Sequence, residues 1–316
     1  MVTLDSVKMA APREAVTQFD DSSFETSIKV SGNRQLKNEI QTLEPMRRVY
    51  GLNKLELKHD EVVIEMSAKI LHVDYAKLIN IDTIEQALWA VNDSDGVAID
   101  PRIVLDFGRF LRVDVTNDIR CSLPIHRYIG ALAMYNSDAR YNVTQTRSGV
   151  YFNNKSRYVN FYSKYEEMMK CLDNLLQWVD PKDFENVLRM ENRLPTFKLI
   201  RDSFQSSTLI QDVLQSKVHV NARMFDRLRQ PAPPVLFEYE PGKVKFYDVV
   251  KYVGYKELLR QCEMDWRKFR KLVMQYSKGD PTTYVNFAKR VLAEIEIHAG
   301  NRFDLISEIA EVLNVA

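Results

Sequence analysis

The feature that most constrains this chain is a two-residue alternation in which charge takes one side of a strand. In "FLRVDVTND", Phe110 to Asp118, Leu111, Val113 and Val115 alternate with Arg112, Asp114 and Thr116. "VLRMENRL", Val187 to Leu194, sets Leu188, Met190 and Asn192 against Arg189, Glu191 and Arg193. "VVIEMSAK" places Glu65 among apolar neighbours in the same way. Successive side chains of a strand point to opposite faces, so these segments belong in a sheet whose acids and arginines share one face.

The rest of the chain supplies partners for that sheet. "VTLDSVKM", "TSIKVSG", "YNVTQTRSG", "VYFNN" and "RYVNFYS" are strand-like, and "LNKLELKHDEVVIEMSAKIL" reads as a hairpin turning at His59 and Asp60. Helical spacing follows in "DTIEQALWAVN" with Asp82 as its cap, and "DPRIVLDFG" places Pro101 in a first turn. Further helices are expected in "LPIHRYIGALAMYN", from Lys164 to about Val179, in "FKLIRDSF" behind Thr196, and in "TLIQDVLQS" and "NARMFDRLR". "QPAPPV", Gln230 to Val235, is a linker because its prolines bar regular pairing. Beyond it "VVKYVGYKELLRQCEMDWRKFRKLVMQYS" divides into two helices around Glu263 to Asp265, the size of a helix-turn-helix. The expectation is an α+β fold: an antiparallel-sheet catalytic domain with packed helices over residues 1–229, then a smaller, mainly helical domain over 235–316.

Lys plus Arg number 44 against 43 Asp plus Glu, so any hold on nucleic acid must come from local patches. Two segments interleave basic and aromatic residues. "TRSGVYFNNKSRYVNFYSK" offers Arg147, Lys155 and Arg157, and "DWRKFRKLVMQY" offers Arg267, Lys268, Arg270 and Lys271. In the second, a solvated helix face over core-facing Trp266, Phe269 and Val273 stands equally open. Cys121, Cys171 and Cys262 are odd in number and lack CxxC spacing, which fits a reducing cytoplasm. No export signal or long apolar run is present, so a soluble protein is expected. The chain has no GxGxxG, phosphate loop, GxSxG or HExxH, and its histidines never fall in metal-ligand pairs. Hydride, ATP-driven and zinc chemistry are disfavoured.

Hard divalent cations take oxygen ligands, and Glu65, Asp114 and Glu191 on one sheet face could converge on Mg²⁺ or Mn²⁺. Each acid could equally be a solvated strand residue paired with a neighbouring base. Tyr162 ends "RYVNFYS", two residues before Lys164. A phenol needs a nearby cation or metal to act as a nucleophile near neutral pH; otherwise Tyr162 is a half-buried sheet residue.

The ordered blocks "MVTLDSVKM", "VVIEMSAKIL", "FLRVDVTND", "SRYVNFYSKYEE" and "VLRMENRL" resemble the rolling-circle replication initiators of the filamentous-phage gene II/X type, and more distantly the Rep-trans plasmid initiators. The resemblance spans about Met1 to Phe204. It implies origin-specific, metal-dependent nicking through a 5′-phosphotyrosine intermediate, with Tyr162 as nucleophile and Lys164 as its charge partner. Asp114 and Glu191, with Glu65, map to acidic metal positions, and Arg112, Arg189 and Arg193 would hold neighbouring phosphates. Implied partners are single-stranded and supercoiled origin DNA, a host helicase and a second copy of the chain, in a bacterial host cytoplasm. Two rivals remain: a non-enzymatic origin-binding initiator and a conjugative relaxase. The histidine pair of many such initiators is absent, which leaves a carboxylate site.

Overall fold

The computed structural model describes residues 1–30, 37–133, 141–170, 178–228, 236–239, 246–262, 265–276, 280–303 and 305–315. Cys171, the whole of the expected linker Gln230 to Val235, and part of the helix expected after Lys164 lie outside the described residues. The chain divides into two compact units, Met1–Pro233 with Ile306–Ala316, and Pro234–Leu305.

The first unit is α+β. Its strands are β1 Leu4–Pro12, β2 Val16–Phe19, β3 Phe24–Val30, β4 Lys37–Leu43, β5 Leu52–Leu57 and β6 Glu61–Ser67. They continue with β7 Val97–Ile99, β8 Arg109–Arg120, β9 Asn142–Gln145, β10 Gly149–Asn153, β11 Tyr158–Ser163 and β12 Val187–Leu194. Ten of them form one antiparallel sheet in the order β3-β4-β5-β6-β1-β8-β12-β11-β10-β9, while β2 and β7 pair separately. The expected hairpin at His59 and Asp60 is β5–β6.

The helices are α1 Ile84–Val91, α2 Pro101–Phe107, α3 Ile125–Ala133, α4 Lys164–Lys170, α5 Phe197–Phe204, α6 Ile210–Leu214 and α7 Val220–Leu228. Their starts show how local chemistry decides. Thr196 Oγ1 accepts from the Leu199 amide at 3.3 Å, so that capping expectation holds; Pro101 stands in the first turn of α2 as expected, behind an Asp100 carboxylate that accepts from the Arg102 amide at 2.9 Å. Asp82 does not cap α1. An Asx turn precedes the helix instead: Asn80 Oδ1 accepts from the Asp82 amide at 2.8 Å, and α1 begins at Ile84.

Val113, Val115, Phe161, Leu188 and Met190 are buried on one face of the sheet, with α5 and α7 over β8 and β12 and α3 over β9–β11. Simple alternation fails inside β8. Lys8 pairs with Arg112 but Met9 with Phe110, so Leu111 is an extra residue; Phe110 takes the core place and Leu111 is only half-buried.

The second unit pairs β13 Leu236–Tyr239 with β14 Ala299–Phe303 and contains α8 Phe246–Gln261, α9 Trp266–Tyr276 and α10 Pro281–His298. Its core gathers Leu259, Cys262, Phe269, Val285 and Ala288. The last helix, α11 Leu305–Val315, brings Ile309 and Leu313 into buried positions, and its Glu308 accepts from the Ser122 amide at 3.0 Å. No helix among the described residues is long and apolar enough to cross a membrane.

Candidate active site

Residues paired across an antiparallel ladder share a face, so the register says which polar side chains meet. Asp118, Arg189 and Tyr162 form one row across β8, β12 and β11; Thr116, Glu191 and Asn160 form the next. Asp114, Arg193 and Tyr158 form a third. On the other side, Arg112 and Glu65 both lie opposite Lys8 of β1.

A bulge in β1 adds a residue to this face. Leu4 lies opposite Val115 and Ser6 opposite Asp114, which leaves Asp5 as the extra residue. Asp5 Oδ1 accepts from Arg189 Nη1 at 2.7 Å. Arg189 is fully buried; it also donates to both oxygens of Asp118, at 2.6 and 2.8 Å, and to the Tyr75 hydroxyl at 3.1 Å. Such bidentate, charge-assisted pairing is what makes a buried guanidinium tolerable.

These groups border a cleft of about 850 Å³ whose lining includes Asp5, Asp114, Tyr162, Lys164, Glu167 and Glu191. Tyr162 donates its hydroxyl hydrogen to Glu191 Oε1, a diagonal neighbour across β11 and β12. Burial, and then the charge of Glu191, hold the phenol well above its ordinary pKa, so the resting group is the neutral phenol. Burial and the nearby Asp5 raise Glu191 to about 7. A carboxylate poised there, already bonded to the phenol, is suited to take its proton during attack.

Lys164 opens α4 directly after β11 and is buried. Its ammonium donates to Glu167 at 2.5 Å and lies 5.9 Å from the centre of the Tyr162 ring and 5.0 Å from that of Tyr75. Opposite Tyr162 stands Gly149, where a Cβ would fall 2.8 Å from the Phe161 carbonyl oxygen and 3.0 Å from Tyr162 Cβ. That close approach requires glycine.

The three acids expected to share a metal do not converge. Glu65 is held by Arg112 at 3.2 Å and Lys8 at 3.9 Å, and β1 and β8 separate its strand from β12. Three strand spacings amount to roughly 14 Å. Asp114 lines the cleft, but Arg193 grips both its oxygens at 2.9 to 3.2 Å. Among the described residues no three His, Cys, Asp or Glu side chains form a metal-holding group. Of the other acids in the cleft, Glu167 accepts from Lys164, Asp5 accepts from Arg189 through Oδ1, and Glu191 accepts from Tyr162; Asp5 and Glu191 are two like charges that a cation would relieve. Mg²⁺ characteristically binds through one or two carboxylates together with substrate phosphates, and this smaller set fits that pattern.

The basic residues fall into distinct settings. Arg189, expected at phosphates, is wholly internal, while Arg112 and Arg193 are engaged with Glu65 and Asp114. Arg147 and Lys155 are exposed in the β9–β10–β11 meander, and Arg157 reaches Met224 Sδ at 3.6 Å. In the second unit Arg267, Lys268, Arg270 and Lys271 are exposed, with Phe269 buried and Trp266 and Val273 packed on the core. Sequence reasoning missed Asp5, Tyr75, Asp118 and Glu167. The first acid in "LDSVKM" and the aspartate ending "VTND" were visible, but nothing local shows that both reach Arg189.

Residues 99–212 match the family model for the N-terminal part of the phage gene II replication-associated protein, just over a third of the chain. The stretch runs from the end of β7 into α6 and holds Asp114, Tyr162, Lys164 and Glu191; Asp5 and Glu65 lie outside it. No curated protein and no solved structure matches the chain. The polar face from β8 through β12 therefore lies within the stretch tied to phage replication-associated proteins of the filamentous gene II type.

Proposed function

We propose that the chain initiates rolling-circle replication by nicking origin DNA and transferring the strand to Tyr162. The observation that carries this is the Tyr162 hydroxyl bonded to Glu191 in a charged cleft, inside the stretch that matches replication-associated proteins. Tyr162 Oη attacks the scissile phosphorus as its proton passes to Glu191. The bond to the 3′ oxygen breaks, that oxygen takes a proton from solvent, and the 5′ phosphate stays on the tyrosine. Lys164, buried beside both aromatic rings, supplies positive charge where the phosphorane gains negative charge. The phosphotyrosyl ester keeps the energy of the broken phosphodiester, so attack by a 3′ hydroxyl reverses the reaction without ATP.

A divalent cation, Mg²⁺ or Mn²⁺, would be held by Glu191 and Asp5 together with DNA phosphates. When bound it polarises the scissile phosphate. Arg147 and Lys155, exposed on the meander, would meet flanking phosphates. The exposed basic side of α9 favours one second reading, an initiator that only binds its origin.

Labelled single-stranded fragments of the chain's own replicon, incubated with Mn²⁺ or with EDTA, test the proposal. A denaturation-resistant adduct is expected with Mn²⁺ and absent with EDTA or in Tyr162→Phe. Binding with no adduct on any fragment would move the assignment to the non-enzymatic initiator.

A further inference from the structure

The proposed transfer leaves part of the cleft unused. The same cleft is lined by Tyr50 and Trp178, with Arg48 and Asn53. His72, which does not line it, stacks on the Trp178 indole with centroids 4.3 Å apart and planes within 15°. Tyr50 lies 5.8 Å from the indole at 31°.

Two backbone features hold this wall in place. His72 has φ 50 and ψ −110, a conformation costly for a residue with a Cβ and kept only where surrounding contacts over-determine it. Gly51, beside Tyr50, has φ +93, and a Cβ there would fall 2.2 Å from the Ile70 amide nitrogen. Its carbonyl accepts from the Ser67 amide at 2.8 Å, which ties the Tyr50 turn to the end of β6. Arg48 donates to the carbonyl oxygens of Leu43, at 2.7 and 3.0 Å, and of Asn53. Carbonyls orient a guanidinium without neutralising it, and with the Glu25 carboxylate the one acid among the described residues acting on it, Arg48 sets a positive charge beside two fixed aromatic surfaces.

Every base presents a flat face to such surfaces, and only an unpaired, unstacked base can enter a recess to use them. We propose that Tyr50 and Trp178 form a stacking subsite for a nucleobase of single-stranded DNA, with Arg48 attracting its phosphate. The placement of that base next to the scissile phosphate rests on the strand-transfer reading; the stacking subsite does not.

The test uses the full chain carrying Tyr162→Phe, titrated with oligothymidylate or with an abasic oligomer of equal length, and follows tryptophan fluorescence. Oligothymidylate is expected to quench and the abasic strand not to, with the quench lost in Trp178→Phe. Tyr50→Ala, read by fluorescence anisotropy of labelled DNA, should weaken oligothymidylate binding about 5- to 150-fold and leave abasic binding unchanged. Equal affinity for the two strands, or a quench that survives Trp178→Phe, would overturn the subsite. Base-dependent quenching in a chain whose Tyr162 form makes no adduct supports the subsite while the transfer reading fails. An adduct without base-dependent quenching removes the subsite and leaves the transfer reading intact.

Discussion

The two faces of the central sheet come from the same strands, one residue out of step, and carry opposite chemistry. Beneath the helices, Val113, Val115, Leu188 and Met190 are buried in apolar surroundings. On the other face Asp114 and Arg189 are equally buried, yet charged. Apolar burial stabilises by about 25 cal/mol per Å² whatever the protein does. Buried ion pairs stabilise little net, because desolvation offsets their attraction. Folding alone explains the first face. The second calls for another reason: under the proposed function, its arginines and acids fix Asp5, Tyr162 and Glu191 for chemistry.

The sharpest way to break that comparison is Arg189→Ala, which strands Asp118 and Asp5 without their partner. A loss of about 3–5 kcal/mol in urea unfolding is expected. Met190→Ala, its neighbour facing the other way, should lose about 2–5 kcal/mol, while molecules still folded form adduct at an undiminished rate. A fall in adduct rate there would show that the faces are not separable.

Glu191→Gln divides stability from function. The folded carboxyl titrates near 7, above the ordinary carboxylate range, so the folded state holds its proton more tightly than the unfolded chain. Its contribution is present below the ordinary range and lost as pH rises through about 7. The variant should therefore melt higher than the parent above that pH, and the difference should close on acidification. Adduct formation should fall about 10²- to 10⁴-fold in the variant. A pH-independent melting difference would contradict the assignment. The smallest effect belongs to Glu65→Gln: its pairs with Arg112 and Lys8 are partly exposed, and a change below about 1 kcal/mol with unaltered adduct yield is expected.

Much of this was legible in local pattern. The alternation in β8 and β12 gave the faces, Pro101 and Thr196 marked helix starts, and the junction at Tyr162 and Lys164 lay where strand spacing turned helical. What escaped was set by register. Asp5 joins the site through a bulge, Leu111 is displaced by another, and Glu65 is removed by two intervening strands. A slip of one residue leaves no trace in composition or spacing, because it depends on the partner strand. The Arg189 cluster escaped for a related reason: Asp5, Tyr75 and Asp118 come from three distant segments.

The most direct test of the central claim is to digest the covalent complex formed on the chain's own replicon DNA and locate the nucleotide by mass spectrometry. The account predicts a phosphodiester on the peptide containing Tyr162, at that residue alone. A nucleotide on Tyr158, Tyr165 or Tyr75 would contradict it.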